Sequence, residues 1–342
     1  MTTVYDEIRS MLEAGFPLVY LATTEYGRVM QKIRSMSFQL GYKCHTWDAV
    51  DGLKTHVSDN SCRLKEVKDH PAAGETLDPF ALLEYMRMGL CQQEDKTPEV
   101  FILEDFHKYF DEMKMPEMLR KLSSDLKACN KHIVFISPYT KFPVELEKYI
   151  TLLSIPLPDK EDLELRLRQV AGRDASINPD LQKYIIDSAL GLTDTEAELA
   201  FRLAKTKVGL NQREAIEVIA SEKEQIIKKS GILDYVKVDA SLENSVGGLE
   251  NLKMWLKQRN KAFELKAKAF GLKEPKGILL LGVPGCGKSL TAKCIAAEWK
   301  QPLLKLDIGK VFGQYVGNSE SNIRQAIATA EAVAPCVLWI DE

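Results

Sequence analysis

The sequence has 342 residues, enough for two or three domains, and its 45% hydrophobic and 28% charged residues give the balance of an ordinary globular protein. A formal net charge of −3 and a pI near 6.1 exclude a global field that would draw the chain to nucleic acid or to an anionic membrane. No apolar run approaches a bilayer span, the first residues lack a signal core, and 7 cysteines without a C-x-x-C pair predict reduced thiols in a cytosolic-type compartment.

In chain order, Val4, Ile8, Met11 and Leu12 share one face of a short helix, and Phe16–Ala22 reads as a buried strand. Thr23-Thr24-Glu25 follows, then a helix with Val29, Met30, Ile33, Met36 and Leu40 on one face. Further strands are expected at Lys43–Trp47, Val100–Leu103, His132–Ile136 and Leu152–Ile155, with helices over Phe80–Met88 and Met115–Leu126 between them. Strands alternating with helices predict a parallel α/β sheet. Glu104-Asp105 follows the third strand, where a metal-site aspartate would sit. No glycine loop with a lysine faces it, so Asp105 is read as a strand-end residue making turn or cap hydrogen bonds. The 5 histidines are dispersed along the sequence and give no metal-ligand spacing.

From Asp159 to Lys229 the pattern is helical and highly charged. Leu163, Leu165, Leu167, Leu181, Tyr184, Ile185, Leu190, Ala197 and Phe201–Ala204 are expected to face a core. A last helix carries Ala215, Val218, Ile219 and Ile226, with its C-cap near Gly231, and Ser241–Asn244 forms a polar linker.

The chemistry is concentrated after this linker. A helix with Leu252, Trp255 and Leu256 leads to an apolar run, Ile278–Leu281, expected as a buried strand. It breaks at Gly282-Val283-Pro284-Gly285-Cys286-Gly287 and a helix opens at Lys288-Ser289, the phosphate-loop pattern in its strand-then-helix setting. Glycines let backbone N–H groups converge on phosphate oxygens, and the helix N-terminus adds its positive end. Lys288 is placed to reach the β and γ phosphates and the Ser289 hydroxyl to ligate Mg²⁺. A second strand, Pro302–Asp307, is followed by Phe312–Glu320 and by a helix with Ile323, Ala326, Ile327 and Ala330 on one face. The final strand, Pro335–Glu342, ends in Asp341-Glu342. Paired with the phosphate loop, these acids read as the second half of an ATPase site: Asp341 holding Mg²⁺ through water, Glu342 polarising the attacking water.

These residues carry a resemblance. Gly282–Ser289, Tyr315–Arg324 and Ala334–Glu342 are similar to the motifs of the AAA ATPase module. Val246-Gly247-Gly248-Leu249, Trp255–Arg259 and Gly287–Lys293 resemble one branch of it, the AAA proteins of cyanobacteria and algal plastids. Gly191-Leu192-Thr193 and Glu196-Ala197-Glu198 in the first half fit the same branch.

The resemblance implies a P-loop NTPase fold of the AAA type, α/β with helices on both faces of parallel sheets, in two tandem modules. A degenerate α/β domain is expected over 1–158, a helical lid-like subdomain over 159–235 and an incomplete ATPase domain over 236–342. It implies that Val246 and Gly247 border adenine, that Pro284, Gly285, Cys286, Gly287, Lys288, Ser289 and Leu290 hold phosphates, and that Ser289 and Asp341 serve Mg²⁺. It places Tyr315 in the pore loop that grips a polypeptide, within a homo-oligomeric ring that remodels a protein partner, in a cyanobacterial cytosol or plastid stroma. The family pattern continues past Asp-Glu, whereas Glu342 is the last residue here. A truncated or fragmentary form is therefore expected, with Val337–Ile340 presenting an unpaired apolar edge. Two alternatives remain open: a nucleotide-gated scaffold without turnover, and a nucleic-acid motor using the lysines of Lys266–Lys276.

Overall fold

A computed structural model describes residues 3–59, 61, 63–90, 97–172, 177–229, 233–236, 247–260, 262, 267, 270–271, 275–299, 301–309, 323, 326–327, 329–331, 333–334 and 336–341. The chain forms two compact units, Met1–Leu157 with Thr193–Thr195, and Pro158–Leu192 with Glu196–Glu342.

In the first unit, α1 (Val4–Glu13) opens on a capping box in which Thr3 and Asp6 satisfy each other's backbone N–H groups. The chain then alternates β1 (Leu18–Ala22), α2 (Tyr26–Gln39), β2 (Lys43–Asp48), β3 (Gly52–Ser58), β4 (Leu64–Asp69), α3 (Pro79–Glu84, continued as a π turn to Leu90), β5 (Glu99–Glu104), α4 (Met115–Cys129), β6 (Lys131–Ser137) and β7 (Ile150–Ser154). The seven strands lie in the order β4-β3-β2-β5-β6-β1-β7. The five from β2 to β7 run parallel, and β3 and β4 add an antiparallel hairpin at one edge.

Alternation along the strands divides the core in two. Leu18, Tyr20, Phe101, Leu103, Ile133 and Phe135 pack with α3 and α4 on one face. Val19, Leu21, Val100, Ile102, Val134 and Ile136 pack with α1 and α2 on the other. Burial on both faces is why these strands read as continuous apolar runs.

Register is marked by charge. Glu99 lies beside Lys43 of β2 and Lys131 of β6 in the strand pairing, with its Oε1 3.4 Å and 3.2 Å from their Nζ atoms. Glu99 and Lys131 are both buried, so a slip of one residue would strand both charges without partners.

The hairpin β3–β4 was not expected from sequence. Its outer strand is exposed along its whole length and rich in charge, which hides the period-two signal. The one cue nearby, the hairpin-type dipeptide Asp51-Gly52, marks the β2–β3 turn that leads into it. Gly52 has φ +71°, and a Cβ there would lie 2.5 Å from the Ala73 carbonyl oxygen. The hairpin also gathers histidines that look dispersed in sequence: the rings of His45 and His70 stand 5.5 Å apart, and His56 bonds Thr46 at 2.9 Å. Among the described residues no group of three or more His, Cys, Asp or Glu is arranged to hold a metal.

In the second unit, α5 (Lys160–Ala171), α6 (Pro179–Ala189), α7 (Asp194–Lys207, whose first two residues belong to the first unit) and α8 (Glu214–Lys229) enclose Leu163, Leu167, Ile185, Ala197, Phe201, Ala204, Ala215 and Ile219. Leu165 and Tyr184 are exposed, contrary to expectation. Leu163 and Leu167 form the i, i+4 pair of α5, which turns Leu165 to the opposite side. On α6 the buried stripe runs through Ile185, Ile186 and Ala189 instead.

A second sheet follows, with β8 (Leu233–Val236), β9 (Leu303–Asp307) and β10 (Val337–Asp341) in the order β10-β9-β8. β8, absent from the sequence reading, is antiparallel to β9, and β10 is parallel to it. Ile227 of α8 packs with Leu233, Leu304, Leu306, Ala326, Ala330 and Val333 on one face. Two further helices, α9 (Glu250–Asn260) and α10 (Lys288–Trp299), join through Leu256, Cys294, Ile295 and Trp299, with Val337 of β10 packed against them. Gly191, at φ +90°, approaches Val333 so closely that a Cβ would lie 2.3 Å from its Cγ2.

One expectation is overturned here. Ile278–Leu281 is not a strand: residues 275–283 are irregular, with Leu279 and Leu281 82% and 84% exposed. The first unit supplies the reason. There β6 stands between β5 and β1, so the strand before the loop reaches the sheet only through that neighbour. In the second unit β10 pairs with β9 alone among the described residues, leaving its other edge open as expected.

The histidines give the first unit an acid weakness. Burial holds the His56 imidazole down at about 4, helped by the charge of Arg34, and burial also lowers His70, His107 and His132. The unfolded chain binds these protons near pH 6.5 and the folded chain does not, so stability falls as pH drops from 6.5 toward 4. Glu25 and Glu104, raised by burial, oppose this slope. The His56 contribution is therefore isolated by comparison: His56→Gln should show a shallower loss of melting temperature than the unaltered chain between pH 6.5 and 4, and identical slopes would contradict this assignment.

Candidate functional site

The phosphate-loop pattern occupies residues 282–287 directly before α10. Gly285 and Gly287 adopt φ +81° and +91°, backbone that strains any L side chain. The Cys286 N–H turns back to the Val283 carbonyl at 3.3 Å, and a Cβ on Gly282 would lie 2.5 Å from the Cys286 sulfur. The Thr291 N–H and hydroxyl both donate to the Gly287 carbonyl, at 2.9 and 3.0 Å, starting the helix at Lys288.

Lys288 arches over the loop, its Nζ 2.8 Å from the Gly282 carbonyl oxygen and 3.1 Å from that of Val283. The ammonium thus stands above a ring of backbone groups at the N-terminus of a 12-residue helix. A glycine loop, a helix N-terminus and a lysine side by side form a setting that suits an anion. Pro284, Gly285, Cys286, Ser289 and Leu290 all face solvent around it.

Asp341 ends β10 and is 43% exposed. Its Oδ2 lies 2.8 Å from Nζ of Lys305 on β9, and that ammonium also stands 4.6 Å from the centre of the Trp339 ring. The structure brings the loop residues 282–290 together and packs their helix against the strand that ends in Asp341, through Cys294, Ile295 and Val337. Gly247 is exposed at the start of α9, followed by Gly248 and Leu249, both in the left-handed region. Val246, Tyr315 and Glu342 lie outside the described residues, as does most of Lys266–Lys276.

The first unit has a corresponding place and fills it differently. The carboxyl ends of β1, β5 and β6 meet where the strand order reverses, the usual ligand crevice of such a sheet. The connection from β1 to α2 is only Thr23-Thr24-Glu25, half the length of the loop at 282–287. The Tyr26 hydroxyl donates to Asp105, and Lys108 Nζ bonds the same carboxylate at 2.8 Å. Although burial acts to raise Asp105, these two bonds hold it below the ordinary carboxylate range. The Glu25 carboxylate is buried against Arg28 at 3.0 Å and accepts the Asp194 backbone N–H at 3.0 and 3.2 Å. Side chains therefore stand where a nucleotide cradle would be. Asp105, at φ +54°, accepts the Lys108 N–H on its carbonyl at 3.2 Å as a turn residue, but its side chain makes no helix-cap bond and holds Tyr26 and Lys108 instead. Sequence reading missed Glu25, Tyr26 and Arg28 as members of this cluster, and Lys305 as the partner of Asp341. The available signal for Lys305 was a lone charge inside an apolar strand.

A phosphate loop with its lysine, opening a helix that packs on a strand ending in aspartate, is the motif pattern of P-loop nucleoside triphosphatases. The comparisons take this further. Residues 4–155 match the N-terminal domain of SpoVK-like AAA ATPases, residues 161–230 match the second domain of the same proteins, and residues 278–342 match the ATPase family associated with various cellular activities, AAA. The chain belongs to the AAA ATPases. It is 36% identical over 340 residues to an AAA domain-containing protein, ycf46, of Trieres chinensis, covering 98% of this chain and 65% of that protein. It is 32% identical to ycf46 of Guillardia theta, covering 98% of this chain and 63% of that one. An ATPase family protein 2 homolog of Caenorhabditis elegans is 28% identical over 211 residues, 59% of this chain and 27% of that protein. The chain thus spans less than two thirds of the length of the ycf46 proteins first compared. No helix among the described residues is long and apolar enough to cross a membrane.

Because Asp105 is tied to Tyr26 and Lys108, Asp105→Asn should act on stability and not on nucleotide. Asparagine tolerates the left-handed backbone, but it has one acceptor oxygen where Asp105 uses two, so the change removes the charge and one of the bonds from Tyr26 and Lys108. The expected outcome in calorimetry is a loss of about 1–2 kcal/mol in the first unit, with any nucleotide-dependent shift retained. Loss of that shift would make Asp105 part of a working site.

Proposed function

We propose that this chain binds Mg²⁺-ATP at residues 282–290 and that, within an assembled AAA site, it hydrolyses it. The observation that supports this reading is Lys288 arched over its own glycine loop at the N-terminus of α10. On this reading the first module, 1–158, and the helical module, 159–235, are a nucleotide-free frame, and 236–342 is the ATPase module. Val246 and Gly247 border adenine. Backbone N–H groups of Gly285, Gly287 and Lys288 hold phosphate oxygens, with Pro284, Cys286 and Leu290 shaping the loop around them. The Lys288 ammonium moves from the Gly282 and Val283 carbonyls to the β and γ phosphates. Ser289 directly, and Asp341 through water, would hold Mg²⁺, which when bound spreads the charge of the transferring phosphoryl group. Glu342 orients and polarises the attacking water.

The family supports two finer proposals: assembly of several copies as a ring, and contact of Tyr315 with a polypeptide substrate that the ring remodels. A second reading, nucleotide-gated binding without turnover, is favoured by one observation. Ile278, Leu279 and Leu281 are exposed outside the sheet and β10 pairs with β9 alone among the described residues, so no described strand joins the loop to Asp341. Turnover that disappears in Lys288→Ala separates the two, since a scaffold has none to lose.

Binding itself is tested by thermal unfolding of the chain with and without saturating Mg²⁺-ATP. A ligand at a hundred times its dissociation constant stabilises its domain by about 2.7 kcal/mol. The expected result is an upward shift of one transition, lost in Lys288→Ala. A shift that survives Lys288→Ala would place the nucleotide elsewhere.

A further inference from the structure

The partner of Asp341 is a charge that the ATPase chemistry does not use. In the pairing of β9 with β10, Asp341 stands directly opposite Asp307, and Lys305 stands opposite Trp339. Side chains two residues apart on one strand point to the same face, so Lys305 shares a face with both aspartates and reaches Asp341 diagonally. Its ammonium lies 2.8 Å from Asp341 Oδ2, and Asp307 and Asp234 also act on its charge. Two carboxylates on neighbouring strands repel, and Lys305 is the cation set among them.

We propose that Lys305 is a counter-charge that occupies Asp341 in the nucleotide-free protein and competes with Mg²⁺ for it, thereby setting how much Mg²⁺ the site requires. The inference rests on the nucleotide reading above. An ammonium on one carboxylate oxygen and a hydrated divalent cation held through the same carboxylate are like charges in close range, so each weakens the other. The pair is built for exchange. Its side chains are 29% and 43% exposed, and ion pairs of that exposure are weak. The Trp339 ring, 4.6 Å from the ammonium, offers it a resting surface when Asp341 is given up. Lys305 is thus a positioning residue that tunes the metal requirement through Asp341.

The test is a Mg²⁺ titration of the full chain, read by fluorescence of a labelled ATP analogue, with the midpoint in Mg²⁺ as the result. Lys305→Met should lower the midpoint by about two- to five-fold, the range an exposed ion pair commands. Lys305→Arg, which keeps the charge, should restore the original midpoint, and raised salt should narrow the gap between Lys305→Met and the unaltered chain. Should Lys305→Met fail to fold, Lys305→Gln carries the same expectation with a polar stem. A midpoint equal to or above that of the unaltered chain in the charge-free variants overturns the inference while leaving the nucleotide reading intact. An unaltered chain that takes up no analogue at any Mg²⁺ concentration overturns the nucleotide reading, and this inference with it.

Discussion

A β-strand forms only against a hydrogen-bonded neighbour, and this constraint bears on both halves of the chain. In the first unit β1 has β6 and β7 as neighbours, so the turn that follows it is held rigidly at the reversal of strand order. In the second unit the corresponding segment, Ile278–Leu281, lies outside the sheet, and β10 is paired with β9 alone among the described residues. The phosphate loop still forms, because its turn bonds, its two left-handed glycines and its bond to the α10 N-terminus are local. The sheet register that would fix it against Asp341 is not local. Among the described residues, loop chemistry and sheet chemistry therefore separate.

The two units solve the same geometric problem with opposite means. A crevice at the ends of parallel strands leaves polar backbone groups that need partners. In the second unit glycines expose those groups to solvent and Lys288 covers them temporarily. In the first unit a three-residue turn replaces the loop, the buried Glu25 pairs with Arg28 and accepts the Asp194 N–H, and the half-buried Tyr26 bonds Asp105. The buried Glu25–Arg28 pair and the Tyr26–Asp105 bond would have to break before any anion entered. This is a physical account of why the first unit lacks a cradle even though its strand order is that of a nucleotide-binding sheet.

Much of this was legible in the sequence because it rests on short-range signals. Strands β1, β5 and β6 of the first unit were readable as apolar runs, and the helices as i, i+3 and i, i+4 stripes such as Val29, Ile33 and Met36. The phosphate loop was readable because glycine spacing, lysine and helix start lie within eight residues. What failed were features set by partners distant in the chain. Ile278–Leu281 has a strand's composition, but strand formation depends on a neighbour, not on composition. The exposed hairpin strand Leu64–Asp69 lacks an apolar signature since one edge of it faces water. Leu165 and Tyr184 were misplaced because several leucines competed for one face and only packing decides among them. Lys305 was overlooked since its meaning comes from Asp341, which is far away in sequence and diagonal in the sheet.

The central claim is that nucleotide binds this chain at one place, the loop ahead of α10, and not in the filled crevice of the first unit. Photoaffinity labelling with an azido-ATP, followed by peptide mapping, tests it most directly. The account predicts label on peptides between residues 246 and 300, abolished by excess ATP, with none on peptides carrying Tyr26 or Asp105. Competable label on the first unit would contradict it, because the buried Glu25–Arg28 pair and the Tyr26–Asp105 bond would then have to break.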